Sequence, residues 1–366
     1  MKEKKRIAFL DYLRVAAAFM VMLIHASEPY YLGGEAPNIT AVASRGDAIW
    51  IALVEAVCRA CVPLFVITSS YLLFPVAKPT GEFFKRRLAR IAVPFAVWCA
   101  AYALWHGESL GRMLFNFPDA AGHLWFVPML LGLYILMPLL SPWAEKVTKA
   151  ELRGWIMLWL FTTTFPYLRR LWSALYGEPS FGAVPFLYGE CPWSMFGAFH
   201  YASGFIGYML IGLWFRRFAA DLTWRRTLAV AAPLWLAGGA VIGGGFYARI
   251  PQIPLSAPYS LAVDLEMSFE YCSTGVVMTV VAAFMIFRKI TFSGALYSRV
   301  VRPLAEASYG TYLMHMFFLT PVFEALRPHC PTPVTIVATA SVTFAAASLA
   351  SICARKIPRL GRWLAG

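Results

Sequence analysis

Apolar residues recur along the chain in runs long enough to cross a bilayer, separated by short polar segments. A spanning helix needs about 20 mostly apolar residues. Ten stretches meet that length, at approximately 7–27, 48–74, 88–106, 123–143, 154–175, 197–215, 227–248, 264–287, 303–325 and 333–354. The pattern predicts an all-α, polytopic integral membrane protein with about ten transmembrane helices. The second run is long enough to tilt or to extend beyond the membrane. Two connections stand apart: Tyr176 to Phe196, rich in proline, glycine and aromatic residues, and Arg249 to Val263, with prolines at 251, 254 and 258. Both are expected to hold irregular lids or re-entrant pieces. No internal repeat, low-complexity tract or segment of soluble-domain size interrupts the runs, so a single membrane domain over residues 1–366 is expected.

Composition narrows the class. The chain is 60% hydrophobic and 14% charged, against roughly 45–50% and about 25% for a soluble domain. A globule of this size cannot hide that much apolar surface, which excludes an ordinary soluble enzyme. Disorder needs low hydrophobicity and is excluded as well. The net charge of +13 would suggest nucleic acid in a soluble chain; here it reads as basic residues gathered in cytoplasmic loops, with no nucleic-acid partner expected. With the N-terminus placed inside, 24 of the 32 Lys/Arg fall in inside segments and 6 outside, Arg14 and Arg59 lying within spans. This asymmetry predicts an even number of spans with both termini cytoplasmic. Lys2-Glu3-Lys4-Lys5-Arg6 followed by an apolar run imitates a signal peptide, but Asp11 and Arg14 interrupt the run, so a retained first helix is expected. Cys58 and Cys61 lie within an apolar run with no second pair, so no metal is expected. A disulfide between Cys191 and Cys330 stays open.

Charges inside spans cost several kcal/mol unless they face the protein interior. The first span carries Asp11, Arg14 and His25. At 100° per residue, His25 falls about 20° from Arg14 and Asp11 about 60° from it, so the three share one narrow stripe. Along the axis, His25 lies roughly 16 Å from Arg14, well towards the outer leaflet. Asp11 and Arg14 at i,i+3 read either as a neutralised packing pair or as part of a site. Histidine, with its ordinary pKa near neutrality, suits a general base. Lys85-Arg86-Arg87-Leu88-Ala89-Arg90 lies at the inner mouth of the third span. It reads either as topogenic charge on anionic lipid or as a phosphate site, with Arg87 and Arg90 on one face. Glu266 and Glu270 in the eighth span, His315 in the ninth, and His123-Leu124-Trp125-Phe126 opening the fourth are weaker candidates, with Glu270 and His315 the deepest. His106 and His200 read as interfacial.

These segments resemble a known family. Phe9-Leu10-Asp11-Tyr12-Leu13-Arg14 with His25 beyond it is similar to the opening of the membrane acyltransferase family called acyltransferase 3, whose hallmark is a basic residue, ten residues, then histidine. Pro63-Leu64-Phe65 through Ser69-Ser70-Tyr71-Leu72-Leu73 resembles its P-x-F-x-x-x-S-G-Y-L-L run, with Ser70 departing from the usual glycine. Arg87-Leu88-Ala89-Arg90 with Pro94 and Trp98, Leu124-Trp125-Phe126-Val127 with Tyr134 and Pro138, and Ser308-Tyr309-Gly310-Thr311-Tyr312-Leu313-Met314-His315 resemble three further family segments, in the family's order. Residues 150–295 match only in the spacing of spans. The nearest members in kind are the O-acetyltransferases of enterobacterial common antigen and of capsule or exopolysaccharide.

The resemblance implies transfer of an acyl group, usually acetyl, from cytoplasmic acetyl-CoA to a hydroxyl of a lipid-linked or surface glycan, in a bacterial inner (plasma) membrane. His25 is then the expected base, with Arg14 and Asp11 setting its field or lining the donor channel. Arg86, Arg87 and Arg90 are expected to hold CoA phosphates, and Trp125, Glu270 and His315 to contact the acceptor or supply an acid. With no soluble hydrolase-like extension in view, the membrane domain is expected to complete transfer alone, directly or through an acyl-histidine. The rival from another class is a transporter or flippase for a lipid-linked sugar. It fits ten spans and intramembrane charges, but it has no use for an R-x-x-R segment at the CoA-accessible side, and no pair of interrupted half-helices marks inverted repeats. Membrane lipids are expected partners, and nothing in the sequence sets the oligomeric state.

Overall fold

The computed structural model describes residues 6–31, 45–109, 111, 121–164, 167–168, 171, 175, 202–249, 268–358 and 360–365. Among them all regular structure is helical. The helices are α1 (Ala8–Ser27), α2 (Arg45–Cys58), α3 (Cys61–Leu73), α4 (Thr80–Trp105), α5 (Phe126–Lys146), α6 (Lys149–Thr162), α7 (Ile206–Arg217), α8 (Trp224–Arg249), α9 (Thr274–Phe287), α10 (Arg302–Met314), α11 (Met316–Leu326), α12 (Thr332–Lys356) and α13 (Leu360–Leu364). Among the described residues, six stretches are long and apolar enough to cross a membrane: Ala8–Tyr30, Gly46–Leu73, Thr80–Trp105, Gly122–Lys146, Trp224–Ala248 and Thr332–Lys356. Large apolar side chains point outward, with Leu139 73% and Leu236 72% exposed, as a lipid solvent requires.

The six match six of the ten expected runs. The fifth, sixth and eighth runs are described only in part, as the short helices α6, α7 and α9. The stretches 176–196 and 250–263, Glu266, His200 and Cys191 lie outside the described residues.

Two runs read as continuous are divided. The second breaks at Arg59-Ala60, because Pro63 has no N–H and its ring opposes the carbonyl four residues back, that of Arg59. The ninth divides at His315 into α10 and α11, although its backbone stays helical at φ −61°, ψ −34°. There the Tyr102 hydroxyl donates to the Leu313 carbonyl at 3.0 Å, which gives an interrupted helical ladder a side-chain partner. Two helices begin well before the runs that predict them: α4 starts at Thr80 rather than near 88, and α6 starts at Lys149 rather than near 154, where the Thr148 hydroxyl accepts the Glu151 N–H at 3.2 Å as an N-cap.

The chain forms two compact units. The first comprises residues 1–26, 73–145 and 290–366, and holds most of α1, α4, α5 and α10–α13. The second comprises residues 27–72 and 146–289, and holds α2, α3 and α6–α9.

In the second unit small residues let backbones touch. A Cβ at Gly238 would lie 2.5 Å from the Gly275 carbonyl oxygen, and one at Gly243 would lie 2.8 Å from that of Ala52. Where hydrocarbon replaces water, such close packing is a main source of helix association. The departure at Ser70 is absorbed the same way. Its Oγ donates to the Met209 carbonyl at 2.6 Å, and the small partner is Gly212, where a Cβ would lie 2.7 Å from that of Ser70.

The second unit also buries an ion pair. Glu55 is fully buried and accepts hydrogen bonds from Ser27 Oγ at 3.1 Å and Tyr31 Oη at 3.2 Å. Arg59, one turn on, reaches it at 3.3 Å, donates to the Phe269 carbonyl at 2.7 Å and lies over the Tyr271 ring at 4.6 Å. Removing one partner of a buried pair leaves the other desolvated, at about 3–5 kcal/mol. Arg59→Leu is therefore expected to lower the melting temperature of the detergent-purified protein markedly, and Glu55→Gln added to it should restore part of the loss. A melting temperature equal to the parent's for Arg59→Leu would remove the pair from the stability of the fold.

Candidate active site

Among the described residues, every sequence candidate except Glu270 lies in the first unit, and α1 carries three of them at two levels. At its N-terminal end Asp11 is buried, 2% exposed. It accepts from Arg6 Nε at 2.5 Å and from Tyr297 Oη at 2.7 Å, and it lies 3.7 Å from the Arg14 guanidinium. Arg6 continues to Glu306, which also meets Arg302 at 3.0 Å and Arg355 at 3.9 Å. Asp11 thus ties α1 to the turn of π-helix at Tyr297–Val301 and, through Arg6, to α10. Asp11 therefore has more partners than the Arg14 expected from the sequence.

Arg14 on α1 and Arg87 on α4 are both half-buried. Arg90 is exposed and feels the charge of Arg355. Arg86 points elsewhere: its side chain is 62% exposed and pairs with Glu82 at 2.7 Å. The three arginines of the segment are therefore not equivalent. Arg87 and Arg90 belong to a region where cations outnumber carboxylates, and Arg86 is a solvated i,i+4 pair.

His25 is half-buried, about 16 Å further along α1 from Arg14. Its ring stacks on that of His315, with centroids 5.1 Å apart. His315 is fully buried and meets His123 edge to face at 5.3 Å. Three of the six histidines in the chain therefore converge. His315 Nδ1 lies 2.5 Å from the Tyr312 carbonyl. A carbonyl only accepts, so Nδ1 carries the proton and Nε2 is the basic nitrogen of the neutral ring. Tyr312 then closes a loop, its hydroxyl donating to the His123 carbonyl at 2.6 Å. The Tyr102 ring packs edge-on against His123 at 4.6 Å and stacks on Phe317 at 4.4 Å, walling the cluster with aromatic surface. The buried Nε2 of His123 has no hydrogen-bond partner among the described residues. Such a group costs stability and marks a place where a water or a ligand hydroxyl can bond.

Trp125 ends the short 3₁₀ turn that carries His123 and is half-buried beside the cluster. Glu270 belongs to the second unit, next to Phe269, whose carbonyl Arg59 binds. Among the described residues no group of three or more His, Cys, Asp or Glu is arranged to hold a metal ion. Sequence reasoning read His123 as interfacial belt or packing, because its place at a span end does not reveal what faces it. Tyr102 carried no sequence signal.

The family model described as an acyltransferase domain, Acyl_transf_3, matches residues 7–352, almost the whole chain. No curated protein matches the chain significantly. No solved structure does so either.

Proposed function

The chain belongs to the Acyl_transf_3 acyltransferase family, and on that premise we propose that this multi-pass membrane protein is an O-acetyltransferase that moves acetyl from cytoplasmic acetyl-CoA to a hydroxyl of a lipid-linked or surface glycan. The observation that carries the proposal is the half-buried His25 stacked on a buried imidazole whose proton position is fixed by a carbonyl. A base must be reachable by its substrate and held in orientation, and the partial exposure of His25 and its stacking on His315 support that role.

In this reading the donor enters at the end of α1 and α4 where Arg14, Arg87 and Arg90 gather. Phosphate suits planar guanidinium donors. The pantetheine arm spans the distance to His25. The acceptor hydroxyl gives its proton to His25 as its oxygen attacks the thioester carbonyl. The carbon–sulfur bond breaks, and the CoA thiolate leaves and is protonated. His315 orients His25 by stacking on its ring, His123 packs behind His315, and Trp125 lines the acceptor side. Ten spans, both termini cytoplasmic and residence in a bacterial inner membrane complete the proposal, with the donor inside and the acceptor outside.

The test is release of free CoA from radiolabelled acetyl-CoA by the purified protein, with and without candidate glycans. Glycan-dependent release together with label on the glycan is the expected result. Uptake of a lipid-linked sugar into proteoliposomes, with no CoA released under any acceptor, would replace the proposal with the transporter reading.

A further inference from the structure

The second unit contains a cavity of about 420 Å³ that the acyl-transfer reading does not use. It is walled by α6, α7, α9 and Thr227 near the start of α8, and bordered by the segment Phe218–Leu222. Its two ends differ in chemistry. At one end lie Lys149 and Arg153 from the start of α6, Arg288 and Lys289 from the end of α9, and a single carboxylate, Asp221. Lys289 donates to Asp221 at 2.6 Å, and that hydrogen bond and charge hold the exposed carboxyl below its usual range, so this pair is neutral overall at neutral pH. Lys149 lies over the Trp214 ring at 5.7 Å and Arg288 over Phe215 at 5.5 Å, which keeps both charges at the rim. Three cations are left for an anion: Lys149, Arg153 and Arg288.

Away from that rim the lining is aliphatic: Ile156 and Leu160, Ile211, Val277 and Val281. From Lys149 to Leu160 along α6, and from Arg288 to Val277 along α9, the wall runs about 16 Å at 1.5 Å per residue. A small soluble anion gains nothing from an apolar trough of that length. A molecule with a phosphate at one end and a hydrocarbon chain behind it matches both the charge and the length. The rim residues belong to segments that the positive-inside bias assigns to the cytoplasm, where anionic lipid headgroups lie.

We propose that this cavity binds an anionic phospholipid, its phosphate between Arg153 and Arg288 and one acyl chain along the wall from Ile156 and Leu160 to Val277. The site is independent of the acyl-transfer reading and stands or falls without it.

The full-length protein in detergent, incubated with phosphatidylglycerol or with phosphatidylcholine of the same acyl chains, is examined by native mass spectrometry for retained lipid. Phosphatidylglycerol should be retained in clear preference to phosphatidylcholine. Arg153→Gln with Arg288→Gln should lower that retention by about tenfold or more, as the loss of charge-assisted contacts to phosphate requires. Arg225→Gln with Arg226→Gln removes two exposed charges at the start of α8, outside the cavity lining, and should leave retention unchanged. Val281→Trp fills the apolar wall with every cation intact and should also abolish retention, so the proposal stays testable if the double glutamine variant does not fold. Equal retention of the two lipids, equal losses in both arginine pairs, or displacement of the lipid by excess inorganic phosphate alone would each overturn it.

Discussion

His25→Gln is expected to abolish acetyl transfer while leaving expression, the melting temperature and acetyl-CoA binding close to the parent's. Glutamine keeps most of the volume and one hydrogen-bonding edge, but it cannot take up a proton. Loss of a general base costs about 10²–10⁴-fold in rate. Donor binding should survive, because the guanidinium groups assigned to the phosphates sit about 16 Å further along α1 and on α4. His315→Gln should give a smaller loss and a changed pH profile of transfer, since His315 orients the His25 ring by stacking on it and is not itself open to the acceptor. Transfer by His25→Gln at the parent's rate would make His25 a packing residue and remove the proposed mechanism.

The second large effect is expected on the donor side. Arg87→Ala should weaken acetyl-CoA binding by about 10- to 150-fold, the equivalent of losing about 1.5–3 kcal/mol from one charge-assisted phosphate contact. Arg90→Ala should act in the same direction. Arg87→Lys should restore only part, because an ammonium group lacks the planar fork. Arg86→Ala should have little effect, since Arg86 is largely exposed and paired with Glu82. Calorimetry on the folded variants separates these outcomes. Parent-like affinity in the Arg87→Ala, Arg90→Ala double variant would return both residues to a topogenic role.

The contrast among these arginines marks the limit of reading by pattern. Arg86, Arg87 and Arg90 are equivalent as letters in a basic run, and helical spacing puts Arg87 and Arg90 on one face. Only the folded structure makes Arg87 half-buried and leaves Arg86 largely exposed in a pair with Glu82. Arg59 makes the same point in the other unit. It is one more basic residue in the charge tally, yet it lies buried beside Glu55 and a carbonyl from residue 269.

What the sequence determined by itself is whatever depends on one helix at a time. The apolar runs set a helical membrane class, and six of them are helical stretches long enough to span a bilayer among the described residues. The period of 3.6 put Asp11, Arg14 and His25 on one stripe of α1, and ordered motifs carried the family. The tertiary structure decided what faces that stripe. His25 and His315 are 290 residues apart, and their contact depends on how α1 meets the junction of α10 and α11. The same packing turned His123 from a belt residue into a third imidazole and tied Asp11 to Arg6 and Tyr297. The physical reason is that periodicity fixes directions around an axis, whereas the meeting of two helices is chosen by side-chain shape and by small residues such as Gly212 and Gly238, which no periodic signal encodes.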